Sequence, residues 1–270
     1  MNEKAAAIQL IAMDLDNTLL SRGKTISDYA ISVFSRCRAA GILLAFATSR
    51  SEGASARVSA RLKPDLFISN GGALARRGET ELFRACLEAQ AVEGIVAGCL
   101  SAPEISQITL EGERGFLSSE PIDPAWAGWE DYAHSVYTDF ANPPCFGAVF
   151  KITAEADSDE VVRRIAQGLP GVGILAFSGE GWYQFKAERA SKEAALEAAA
   201  AALGLKMEQV AAFGDDWSDL GMLRAAGIGV AMQNAIPEVQ SAADALCGDC
   251  DEDGLAIWIE QNILAAREKG

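Results

Sequence analysis

Ile8-Gln9-Leu10-Ile11-Ala12-Met13-Asp14-Leu15-Asp16-Asn17-Thr18-Leu19-Leu20 decides the reading of this chain. An apolar run of strand length, nearly free of polar interruption, ends in two carboxylates one residue apart, and a Thr follows. In an α/β protein this places acids at the carboxyl end of a buried strand, where such sheets bind ligands. As i and i+2, Asp14 and Asp16 would face the same way if the strand kept its geometry. Spacing alone is weak evidence. The 270 residues include 16 Asp and four Asp-x-Asp pairs, against roughly one expected from uniform composition. The hydrophobic run before Asp14 and the residues downstream separate this pair from the other three.

Outward from that strand, Ser27-Asp28 reads as a helix start and Gly41 as its stop. Ile42 to Ala47 is a second buried strand, ending in Thr48-Ser49-Arg50-Ser51, where Ser51 can cap a helix running to about Leu62. Leu66-Phe67-Ile68 is a third strand, followed by Asn70-Gly71-Gly72. Apolar strands alternating with helices give a doubly wound parallel sheet. From Ala73 the character becomes α+β: short charged strands, a hairpin at Gly112-Glu113-Arg114, an aromatic stretch over 121–144, a strand at 145–152, a helix over 157–168, and strands at 172–176 and 182–185. We therefore expect an inserted domain over 73–186, with a discontinuous core of 1–72 and 187–270. The doubly wound pattern resumes with a Ser191-capped helix ending at Gly204, a strand over 209–213, and Gly214-Asp215-Asp216-Trp217-Ser218-Asp219. A helix over 220–226, a strand at 229–232, a helix from Pro237 and a terminal helix over 254–267 complete the chain.

Composition narrows the function. A net charge of −15 argues against nucleic-acid binding, which needs clustered Lys and Arg. It leaves open a phosphate-bearing small molecule, because a bound metal ion can reverse the field locally. Six scattered cysteines and no visible signal or membrane-spanning segment point to a reduced, cytoplasmic protein without a membrane partner; the expectation for its assembly is a monomer or a weak homodimer. Cys247-Gly-Asp-Cys250 lacks the second pair that a structural zinc would need. His134 is the lone histidine, so a histidine-based triad has no support. The aromatics Trp126, Trp129, Tyr132 and Tyr137 read as core of the insert.

Three strand ends now carry polar groups, Asp14/Asp16, Thr48/Ser49 and Asp215/Asp219, and parallel strands present their carboxyl ends together. Lys192, in the first turn of the helix after the insert, can reach the same edge, although a solvated lysine would read alike. Clustered carboxylates suit a hard cation such as Mg²⁺, which keeps few protein ligands and takes substrate phosphate oxygens. Hydroxyls and a lysine beside such a cation suit phosphoryl transfer. Asp216 reads instead as a helix-start acid.

Asp14-Leu-Asp-Asn-Thr-Leu, Ala47-Thr-Ser-Arg, Lys192 and Gly214-Asp-Asp-x-Ser-Asp-Leu-x-Met-Leu together resemble the four motifs of the haloacid-dehalogenase superfamily. The insertion after the third strand, Asn70-Gly71, Ala231-Met-Gln-Asn-Ala235 and Asp251-Glu-Asp-Gly254 resemble its Cof-type group, subfamily IIB, with a C2 cap that selects substrate. The resemblance implies a Mg²⁺-dependent phosphomonoester hydrolase acting on a small phosphorylated metabolite such as a sugar phosphate, through an aspartyl-phosphate. It implies Asp14 as nucleophile and Asp16 as acid/base, with the Asp16 carbonyl on the metal. Thr48, Ser49, Asn70 and Ser218 would hold substrate, Lys192 would neutralise charge, and Asp215 and Asp219 would complete the metal set. Ser49 and Ser218 depart from the family pattern, where Gly and Asn are usual. A phosphomannomutase-type phosphotransferase and a non-catalytic binding protein are the alternatives.

Overall fold

The computed structural model describes residues 2–121, 136–141, 147–176 and 181–268. Trp126, Trp129, Tyr132, His134 and Cys145 lie outside the described residues. In chain order the elements are α1 (Asn2–Ala6), β1 (Leu10–Met13), α2 (Asp28–Ala39), β2 (Leu43–Ala47), α3 (Ala56–Leu62), β3 (Leu66–Ser69), β4 (Leu74–Arg77) and β5 (Thr80–Arg84). Then follow α4 (Ala89–Ser101), β6 (Ile105–Gly112), β7 (Gly115–Ser118), β8 (Val136–Tyr137), β9 (Val149–Ala156), α5 (Asp159–Ala166), β10 (Val172–Ala176) and β11 (Trp182–Ala187). The last are α6 (Lys192–Ala202), β12 (Val210–Gly214), α7 (Leu220–Ala225), β13 (Ile228–Ala231), α8 (Pro237–Ala242), β14 (Ala245–Leu246), α9 (Gly254–Trp258) and α10 (Ala265–Glu268).

The chain forms two compact units. The first combines residues 1–49, 56–83 and 191–270 around an eight-stranded sheet ordered β14-β13-β12-β1-β2-β3-β4-β5. From β14 to β3 the pairing is parallel, and β4 joins antiparallel on β3. β1 lies mid-sheet with all four residues buried, so it reads as an unbroken apolar run rather than an alternating one. Helix α2 begins where expected: Ser27 Oγ accepts the Ala30 amide at 2.9 Å, and Ala30, Val33, Phe34 and Cys37 form its buried face.

The second unit, residues 50–55 and 84–190, holds a six-stranded sheet ordered β10-β11-β9-β6-β7-β8. Helices α4 and α5 supply Val92, Ile95, Val96, Val161 and Val162 to its separate core. The Gly112–Gly115 hairpin forms as expected. This is the inserted α+β unit, but it starts later than residue 73. Ala73, Leu74 and Ala75 are buried and Ala75 pairs with Ile68, so β4 and β5 continue the first sheet. Arg76 and Arg77, at the far end of β4, gave that segment its charged, insert-like appearance.

Two further differences are local. Residues 89–101, left without an element by the sequence pattern, form α4. The terminal helix is not uniform: a π-helical stretch, Ile259–Leu264, separates α9 from α10 and buries Ile259, Ile263 and Leu264. No helix among the described residues is long and apolar enough to cross a membrane.

Candidate active site

The carboxyl end of β1 hands the chain directly to Asp14, whose amide donates to the Phe213 carbonyl of β12 at 3.0 Å. The backbone then folds back, with Leu19 N–H on the Asp14 carbonyl and Leu20 N–H on that of Leu15. This turn buries Thr18, whose hydroxyl donates to Asp215 Oδ1 at 2.7 Å. The sequence reading missed Thr18; its place four residues beyond Asp14, on the same tight turn, was the available signal.

Lys192 is the pivot. Ser191 Oγ accepts the Ala194 amide at 3.0 Å and caps α6, which fixes Lys192 in the first turn with only 2% of its surface exposed. Its ammonium donates to Asp14 Oδ1 at 2.7 Å and to Asp219 Oδ1 at 2.6 Å. Asp219 in turn accepts the Asp215 and Asp216 amides on Oδ2, at 3.0 and 3.2 Å. Both of its oxygens are therefore engaged, and Asp219 ties the lysine to the turn that presents Asp215. A Cβ on Gly214 would lie 2.4 Å from the Asp219 Cβ, so only glycine lets this carboxylate sit beneath the strand end. Asp216 caps the turn through the Trp217 amide at 2.8 Å, as its sequence position suggested. Ser218 lies half-buried on the same turn.

A second turn closes on the site from β3. Thr48, buried at the end of β2, accepts the Gly71 amide on its carbonyl at 3.0 Å. Gly72 has φ +89°, and a Cβ there would fall 2.1 Å from the Ser191 carbonyl carbon and oxygen. That contact seats the Asn70-Gly71-Gly72 turn against the peptide preceding Lys192. Asn70 takes the left-handed conformation (φ +52°). Its Nδ2 reaches Ser69 Oγ at 3.3 Å, while its buried Oδ1 has no protein partner.

Asp14, Asp215 and Asp219 each offer a carboxylate oxygen within 4.8 Å of the others, and all three residues are buried. Three buried acids face one lysine. Desolvation, reinforced by the neighbouring acids, raises Asp14 well above the usual carboxylate range, with Lys192 opposing the shift. The same burial and the Asp219 charge raise Asp215 to about 7, against the Thr18 hydrogen bond. Burial alone would lower Lys192, but the two carboxylates outweigh it and hold the ammonium charged. Excess buried negative charge among hard oxygen donors fits Mg²⁺. Asp16 stands apart from this trio: its carboxylate pairs with Lys24 Nζ at 2.6 Å and is not among the three clustered acids. Ser49 is half-buried at the end of the segment that carries Thr48.

The chain matches the family model for haloacid dehalogenase-like hydrolases over residues 11–259. It is 28% identical over 262 residues to the HMP-PP phosphatase of Cronobacter sakazakii, covering 93% of this chain and 94% of that one. It is also 28% identical over 284 residues to the pyridoxal phosphate phosphatase YbhA of Escherichia coli K12, covering 95% and 99%. Among solved structures, the subclass IIB sugar phosphatase BT4131 superposes with a TM-score of 0.80 at 23% identity, covering 94% of this chain and 98% of that one. The chain belongs to the haloacid dehalogenase-like hydrolase family.

Proposed function

We propose that this enzyme hydrolyses small phosphomonoesters, a sugar phosphate being the leading candidate, through a phosphorylated Asp14. The observation that carries this reading is the buried Lys192 bridge, which holds Asp14 Oδ1 and leaves Oδ2 for phosphorus. Asp14 Oδ2 forms the bond to phosphorus as the ester P–O bond breaks, and Asp16 gives the departing alkoxide its proton. Asp16 then takes a proton from the water that attacks the aspartyl-phosphate and frees Asp14. For this Asp16 must turn from Lys24 toward the leaving oxygen. Thr48, Ser49, Asn70 and Ser218 hold the substrate; the unpartnered Asn70 Oδ1 supports a ligand contact there. Asp14, Asp215 and the Asp16 carbonyl, supported by Asp219, would hold Mg²⁺. When bound there it supplies positive charge against the phosphoryl oxygens. The insert chooses the substrate, and the free cysteines Cys37, Cys86, Cys99, Cys247 and Cys250 fit a cytoplasmic enzyme.

A panel of phosphorylated metabolites, read by released phosphate with and without Mg²⁺, tests the reading. Mg²⁺-dependent release that Asp14→Asn reduces at least ~10³-fold is the expected result, the scale of losing a nucleophile. Isomerised sugar phosphate with no free phosphate would replace hydrolase by mutase.

A further inference from the structure

Asn234 ties the turn that carries Asp16 to two other loops of the first unit. It stands on the turn after β13, where the Met232 amide donates to the Gly214 carbonyl at 3.1 Å and the Ile236 amide to the Asp215 carbonyl at 3.0 Å. This turn is therefore bonded to the strand end that presents Asp215. From there the half-buried Asn234 side chain uses both ends of its amide. Its Nδ2 donates to the Asn17 carbonyl at 2.7 Å, and its Oδ1 accepts the Cys250 backbone N–H at 3.0 Å. The loop around Cys250 also holds the chain beyond Asn17. The Arg22 backbone N–H donates to Asp251 Oδ1 at 2.9 Å, and its guanidinium donates to both Asp249 oxygens at 2.9 Å.

Asn17 stands between Asp16 and Thr18 and takes the left-handed conformation, φ +54°. That backbone is strained for any residue but glycine and persists only where its surroundings hold it. The backbone bonds of the turn described above return to Asp14 and Leu15, upstream of Asp16. The peptide downstream is held from outside, by Asn234. Asp16 rests against Lys24 at 2.6 Å, so to act at a leaving oxygen its carboxylate swings about its own side-chain bonds. Its backbone must then stay still, because misplacing a reacting group by about 1 Å can cost on the order of 10²-fold in rate. We propose that Asn234 is a positioning residue for proton transfer: by holding the Asn17 carbonyl it fixes the backbone from which Asp16 reaches the leaving oxygen. The proposal rests on the phosphatase reading, with Asp16 as acid, and adds a residue that acts only through another's backbone. Asp215 and Asp219 keep separate ties, to the Thr18 hydroxyl and to the Asp215 and Asp216 amides. Loss of the Asn234 side chain should therefore fall on the proton step first.

The test compares wild type, Asn234→Ala, Asp16→Asn and the double variant at saturating Mg²⁺, with Asn234→Ser in place of the alanine should that fail to fold. Glucose 6-phosphate, ribose 5-phosphate and butyl phosphate have alkoxide leaving groups that need a proton. They are set against p-nitrophenyl phosphate, whose nitrophenolate departs without one. On the alkyl ester that wild type turns over fastest, Asn234→Ala should lose about tenfold or more in kcat/KM, part of the ~10²- to 10⁴-fold that a general acid supplies. On p-nitrophenyl phosphate it should stay within about threefold, since no acid contribution is there to lose. The double variant should lose no more than Asp16→Asn alone, because two residues serving one step are not additive. Equal losses on both kinds of ester, additive losses in the double variant, or no loss at all would overturn the proposal and leave the phosphatase intact. Wild type that hydrolyses p-nitrophenyl phosphate alone would keep the phosphatase but sink the acid role of Asp16, and this proposal with it. No phosphate released from any ester would sink both.

Discussion

Lys192 shows how one side chain can decide between a solvated helix start and a buried ion-pair centre. From sequence its first-turn position in a Ser-capped helix reads equally well as an exposed lysine. In the structure it is enclosed by two carboxylates, and removing it would leave buried acids unpaired, the costly case for an ion pair. Thr18 acts one step further out. Its hydroxyl gives Asp215 a fixed orientation and favours the ionised carboxylate. Thr18→Val keeps the shape and removes that bond. We expect Mg²⁺ affinity to fall about 10- to 100-fold, the usual effect of losing a partner that orients a metal ligand. Activity titrated against Mg²⁺ should recover at saturating metal; an unchanged half-saturation point would mean Thr18 does not orient Asp215.

At the scale of elements, the site exists because three loops from parallel strand ends are packed to contact distance. The turn after β3 reaches the start of α6 only because Gly72 lacks a Cβ. Gly72→Ala must push that peptide away or abandon its left-handed backbone, costing of order 1–3 kcal/mol. It should also displace Lys192, so kcat should drop more than tenfold, measured on folded protein verified by circular dichroism. The ends of β1, β2 and β12 were legible in the sequence because buried parallel strands read as apolar runs, and polar residues at their ends then stand out. Helix α4 was not. A Cβ at its Gly94 or Gly98 would lie 2.7–2.8 Å from Leu169 or Ile165, so these glycines are close-packing contacts of the insert that only the folded chain shows. Pairings between distant residues, Thr18 with Asp215 and Asn234 with Asn17 and Cys250, carry no local pattern and appear only once the chain is folded.

For the whole molecule, a net charge of −15 and a buried acidic trio push stability in the same direction. Asp14 and Asp215 are raised in the folded state, Asp215 from the ordinary 3.8 to about 7. The folded protein thus binds more protons than the unfolded chain between those values. That contribution is fully present below about 4 and is lost as pH climbs through about 7. The metal-free protein should therefore lose stability over that window. Mg²⁺, which replaces the protons, should raise the melting temperature more at pH 8 than at pH 5.5; an equal shift at both would mean these acids do not form its site. In the proposed function the chemistry rests on Asp14. The most direct test of that claim is rapid acid quench during turnover, followed by mass analysis of the peptides. One phosphoryl group on the peptide containing Asp14, absent from the Asp14→Asn protein, is the predicted result. Turnover with that peptide unmodified, or with the phosphoryl group on another residue, would contradict the account.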